Sequence, residues 1–72
     1  MGEAEQILYM QVRLFRMFAE LFNKTLRQTA ELFERYNVLA FIKDGFEIFH
    51  VEGDEAVFQE TKEFLESKGA AL

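Results

Sequence analysis

The chain has no cysteine, no proline and no tryptophan, and among its 72 residues there is one histidine, His50, and one serine, Ser67. Each shortage removes a class of function. Without cysteine there is no disulfide framework, and with one histidine besides there are too few soft ligands for an ordinary zinc or copper site. Nucleophilic catalysis needs a nucleophile beside a base that a third group orients, whereas Ser67 sits at the end of a helical pattern, well beyond His50. Phosphate loops need clustered glycines that open a helix, and the four glycines are scattered at 2, 45, 53 and 69. Long apolar runs are missing too. Arg13, Arg16 and Glu20 interrupt the apolar N-terminal stretch, so it is neither a secretory signal nor a membrane span, which needs roughly 18 uninterrupted apolar residues. The expected compartment is the cytoplasm, with no membrane partner and no cofactor.

What is present in quantity is apolar surface. Half of the residues are hydrophobic and nine are Phe. A chain this short buries only about 60% of the surface it exposes when unfolded, so it relies on disulfides, a metal, oligomerisation or an exceptional core. Composition removes the first two. The net charge of −5 is unevenly placed: residues 1–36 balance five Arg/Lys against five Asp/Glu, and residues 37–72 hold three Lys against eight Asp/Glu. Such a surface disfavours nucleic acid, because neutralising phosphate supplies most of that affinity. Its plainest role is a solvated, solubilising face.

Hydrophobic periodicity predicts helices throughout. The first runs from about residue 3 to 22, with Ile7, Leu14, Phe18, Leu21 and Phe22 on one side; Leu8, Met10, Val12, Phe15, Met17 and Ala19 widen the arc past half the circumference. Such a helix is either central to the domain or shared with a second chain. Thr25-Leu26-Arg27-Gln28 fits a capping box opening a helix over about 26–36, with Leu26, Thr29, Ala30, Phe33 and Tyr36 on one face. Asn37 suits the left-handed position that ends it. A short helix over about 38–44 follows, stopped or kinked by Gly45. Residues 46–51 mix two periods; a helical turn is favoured over a strand, since a lone strand has no partner in this chain. The last helix spans about 54–68, capped by Asp54 and closed by Lys68-Gly69, burying Val57, Phe58, Thr61, Phe64 and Leu65 while Gln59, Glu60, Lys62, Glu63 and Glu66 face water. The expected fold is an all-α compact bundle: one domain over residues 1–72, three principal helices and a short one, with a helix-turn-helix-like middle and at most a trace of extended structure near 46–51.

Within that fold only a few residues invite a functional reading. Asp44 and Glu55 have the outer spacing of a calcium loop, but Phe46 and Ile48 occupy ligand positions and Phe49 stands where the turn needs Gly. His50, with Glu52 and Asp54 nearby, is the one cluster of titratable groups, and its expected role is a partly buried histidine hydrogen-bonded to the loop before the last helix. The helix over 38–44 would be the reading helix of a DNA-binding pair, yet it offers Lys43 as its one cation. The first helix offers more. Tyr9, Met10, Gln11, Arg13, Arg16 and Met17 form its candidate interaction surface, with Tyr9–Arg13 and Arg16–Glu20 spaced to touch. Arg13 and Arg16 suit the acidic half of another copy. Gln11 points into the apolar arc, where an amide needs a partner; in a symmetric dimer it would pair with its own copy across the axis.

These features resemble a known family. The long apolar first helix, the short second helix through Glu31-Leu32-Phe33, the run Phe41-Ile42-Lys43-Asp44-Gly45-Phe46-Glu47-Ile48-Phe49-His50, the following Gly53 and the acidic start of the last helix are similar to the bacterial domain of unknown function 3791. The likeness extends from about Val12 to Gly69 and departs at Val51, where a small polar residue is usual. The family has no assigned activity. Its members are sometimes encoded beside proteins resembling ADP-ribosyltransferases, so the resemblance implies a small accessory or antitoxin-like partner. The expectation is a non-enzymatic interaction module that forms a homodimer or binds a protein encoded nearby; a helix-turn-helix-like transcriptional accessory or antitoxin-like regulator is the alternative.

Overall fold

The computed structural model describes residues 2–72, and every regular element in it is helical: α1 (Glu3–Leu21), α2 (Leu26–Arg35), α3 (Val38–Asp44), α4 (Phe46–Phe49) and α5 (Asp54–Ser67). α1 packs against α2, α3 and α5, and is therefore the central helix. None of the described helices is long and apolar enough to cross a membrane.

Local chemistry sets the helix ends. α1 closes in a Schellman motif: Asn23 takes a left-handed φ of 50°, its N–H donates to Glu20 O, and the Lys24 N–H reaches Ala19 O. α5 closes the same way, with Gly69 at φ 84° and the Ala70 N–H on Leu65 O. At the start of α2 the capping box is complete. The Thr25 hydroxyl accepts the Gln28 N–H at 3.0 Å, and Gln28 Oε1 accepts the Thr25 N–H at 2.9 Å. Asn37, at φ 54°, turns the chain from α2 into α3.

Residues 46–49, the ambiguous stretch, form the single helical turn α4 rather than a strand. Gly45 separates it from α3 for a steric reason. A Cβ at this position would collide with Cε2, Cζ and Cδ2 of Phe49, whose ring lies over the glycine.

The core is built on α1. Leu14 and Phe18 are fully buried, and Phe18 packs between Phe22, Phe33 and Phe58 with ring centroids 5.6, 5.7 and 4.5 Å away. A second aromatic group joins α3 to its neighbours, with Phe41 stacked on Phe64 at 4.2 Å and close to Phe49 at 5.5 Å. Thr29 and Thr61 are buried without cost to hydrogen bonding, because each hydroxyl donates to the carbonyl four residues back, Thr25 O and Val57 O.

The buried faces differ from expectation at several positions, among them Lys62, which is partly covered. α2 buries Thr29, Leu32 and Phe33, leaving Leu26 and Ala30 exposed, because its neighbours cover the 29–32–33–36 row. Leu21 is exposed at the end of α1. Glu60, expected in water, is partly covered, and its Oε2 is shielded from solvent.

Candidate interaction surface

α1 presents three sides. One is the core side: Met10, Leu14, Phe18 and Ala19 are buried. Met10, expected on the interaction surface, is instead 4% exposed and belongs to the core cluster with Leu14 and Phe18, so that only its edge borders the surface. Met17 is half-buried, packed against the same core, and borders a shallow groove with Leu21, Glu55, Ala56, Phe58 and Gln59.

The second side is polar and faces the α4 turn. Gln6, Tyr9, Met10 and Arg13 line a shallow groove with Phe46 and His50, and Glu3 and Glu47 extend it. His50 is exposed, and its ring stacks on Phe46 with centroids 5.2 Å apart. It is thus held by a ring contact, not by the hydrogen bond to the following loop that its position predicts. Arg13 Nε donates to Asp54 Oδ2 at 2.9 Å. The acidic half that Arg13 meets is that of its own chain, and Asp54, the first residue of α5, does not cap the helix. Gly53 holds the N-cap position with φ 93°.

The grouping of His50, Glu52 and Asp54 consequently comes apart. His50 lies on Phe46, Asp54 pairs with Arg13, and Glu52 lies against Glu60. The Glu60 carboxyl is pushed above its ordinary range, first by its hydrogen bond to Glu52, then by lost solvation and by repulsion from the Glu52 charge. Among the described residues no three His, Asp or Glu side chains converge as metal ligands would.

The third side is apolar and open. Leu8 and Val12 are 54% and 43% exposed, on successive turns of one row that continues to the half-buried Phe15. They lie roughly 120° and 160° around the helix from Leu14. Ala19, in the same sector nearer the end of α1, is covered, so Leu8 and Val12 are open because no other element lies over this side of the helix at their level. Phe15 packs edge-on to Phe33 at 5.3 Å. Across from the row stands Leu39, 47% exposed, which borders a shallow groove with Phe15, Ala30 and Phe33. The Gln11 amide fixes this relationship, since its Nε2 donates to Leu39 O at 2.9 Å. Gln11 has its partner within the chain, so it needs no copy of itself across a dimer axis. Arg16 is exposed at the edge of the row and, among the described residues, has no ion-pair partner.

Of the residues singled out in the sequence, the structure brings Tyr9, Arg13 and His50 together around one groove, leaves Arg16 beside the apolar row, and turns Met10 inward. Leu8, Val12 and Leu39 are exposed residues that were not among the candidate interaction residues of the sequence. The signal for the first two was the excess width of the apolar arc.

The run from Phe41 to His50 that carries the family likeness is thus the α3–α4 corner, with Gly45 under Phe49 and His50 on Phe46. The family described as Protein of unknown function (DUF3791) matches residues 9–68. The chain belongs to that family. No curated protein matches this DUF3791 member, and no solved structure does. The matched region takes in the α2–α5 body and most of α1, so both the core of this DUF3791 chain and its open row at Val12 and Phe15 lie inside the family's extent.

Proposed function

We propose that this DUF3791 member is a non-enzymatic protein-interaction module whose docking surface is the apolar row Leu8–Val12–Phe15 of α1 together with Leu39. One observation carries the reading: α1 completes the core with one side and still exposes a second, contiguous apolar side. Single exposed hydrophobic residues are ordinary, but a row on successive turns joined to a second helix is the pattern of a binding face. The composition supports it as well, because a chain of this size without disulfides gains stability by covering such a face. The candidate occupants are a second copy and the product of a neighbouring gene. A DNA-reading role has less support. α3 buries Val38 and Ile42 and offers Lys43 alone as a cation, on a chain of net charge −5.

The test is a binding measurement between the full chain and the product of the adjacent gene, repeated with Val12→Glu, Leu39→Glu and, as a control, Ile48→Glu. Ile48 is also exposed but lies away from the row, on α4. Binding that falls at least tenfold in the first two variants and not in the third supports the reading. Binding unchanged by a folded Val12→Glu or Leu39→Glu chain overturns this surface.

A further inference from the structure

We infer that the occupant of the α1 row is a second copy of this chain, docked antiparallel so that Glu5 of each copy meets Arg16 of the other. This rests on the reading of that row as a docking face and adds the identity and direction of its partner.

Glu5, Leu8, Val12 and Phe15 are spaced three, four and three residues apart, the alternation that keeps one seam of a helix facing a parallel or antiparallel companion helix. The row begins with an acid, and Arg16 lies beside its other end. Both are exposed, and neither has an ion-pair partner among the described residues, whereas Arg13 is already engaged by Asp54. The four residues with Arg16 occupy about 16 Å of helix.

Charge decides the direction. In a parallel pair Glu5 would lie beside Glu5 and Arg16 beside Arg16, two like-charge contacts across the seam. In an antiparallel pair with Leu8 set against the partner subunit's Val12, Glu5 falls opposite the partner subunit's Phe15, one residue from the partner's Arg16. The two-fold axis repeats each contact, giving two Leu–Val contacts flanked by two Glu–Arg contacts. The surface is self-complementary, as a two-fold interface has to be. Phe15 and Leu39 border the groove that the partner's N-terminal half then overlies. Such a pair is weak. A standard interface covers about 800 Å² on each partner, which is about one-sixth of the 4943 Å² surface of this chain, and one short helical row covers less.

The full chain is examined by sedimentation equilibrium at low salt across micromolar to millimolar concentration. Reversible dimerisation is expected, weakened about tenfold by Glu5→Arg or by Arg16→Glu, and restored to within about twofold by the double exchange, since two surface ion pairs are each reversed in sign. Ile48→Glu leaves it unchanged. Because the chain has no cysteine, single Leu8→Cys and Val12→Cys chains can be mixed and oxidised. With equal amounts of the two chains, random pairing makes about half of the product mixed, so a mixed 8–12 disulfide well above the sum of the two like-with-like products is expected, and a mixed share at or below that sum overturns the antiparallel register. A wild-type chain that stays monomeric to millimolar concentration overturns the second copy as occupant. If that monomer still loses its neighbouring partner on Val12→Glu, the docking face stands and only its occupant was misassigned; if it binds nothing, both readings fail.

Discussion

Arg13 and Asp54, 41 residues apart, are joined by a 2.9 Å contact from Nε to Oδ2 that ties the middle of α1 to the first turn of α5. The same carboxylate stands at the positive end of the α5 dipole, so it is favoured twice, by a guanidinium and by the unpaired N–H groups of the first turn. Both side chains remain substantially exposed, at 50% and 41%, which limits what the pair is worth. A double-mutant cycle of Arg13→Ala and Asp54→Ala is expected to give a coupling of about 0.2–1 kcal/mol in urea unfolding, shrinking as salt rises. Asp54→Ala should cost more than Arg13→Ala, because it also removes the helix-end interaction. Equal costs would show that the dipole contributes nothing here.

Gly45→Ala tests why the α3–α4 corner carries glycine. Its backbone, at φ −92° and ψ 1°, is open to any residue, so the penalty comes from the Phe49 ring that the new methyl would strike. Overpacking of this kind costs about 1–3 kcal/mol. Thermal melts of Gly45→Ala should show that loss, and the same substitution in a Phe49→Leu background should show much less of it. A loss of equal size in both backgrounds would point to the backbone instead.

Those two relationships also mark what was legible in the sequence. Local devices were readable: the Thr25–Gln28 box, the left-handed Asn37 and the break at Gly45 each depend on neighbours a few residues away. The cause of the break at Gly45 was not, because it needs the position of a ring in the next turn. The partners of Arg13, Gln11 and Glu60 were unreadable for the same reason, as each lies on another element or in a loop. The wide arc of α1 shows the limit most clearly. A helical wheel records that Met10, Leu8 and Val12 are apolar, but which of them is covered depends on where α3 and α5 lie. The first is buried and the other two are open.

Gln11→Met isolates the bond to Leu39. The methionine keeps the length and apolar stem of Gln11 but cannot donate to Leu39 O. The expected loss is about 0.5–1.5 kcal/mol in chain stability, measured by urea unfolding below any dimerisation constant. Self-association should change by less than the effect of Glu5→Arg, since the amide acts within one chain. A change in dimerisation with stability unaltered would return Gln11 to the interface.

Glu60 and Glu52 supply a stability term with an unusual pH sign. Glu60 Oε2 is shielded from solvent and has no hydrogen-bond partner among the described residues, and Glu52 lies against the same carboxyl. One proton closes the pair, and the hydrogen bond to Glu52 raises the Glu60 pKa above its ordinary 4.5. The folded state therefore binds this proton more tightly than the unfolded chain does. Its stabilising contribution is complete below the ordinary glutamate range and disappears as pH rises through the raised value. Glu60→Gln carries a permanent donor in place of that proton. It should raise the melting temperature at neutral pH, where the native pair is repulsive, and should lose this advantage in acid, where the native pair is protonated. Melts of the two chains compared across that range cancel the other carboxylates and read this pair alone. A Glu60→Gln chain less stable than the native one at neutral pH, or a difference that does not vary with pH, would show that the two carboxyl groups do not share a proton.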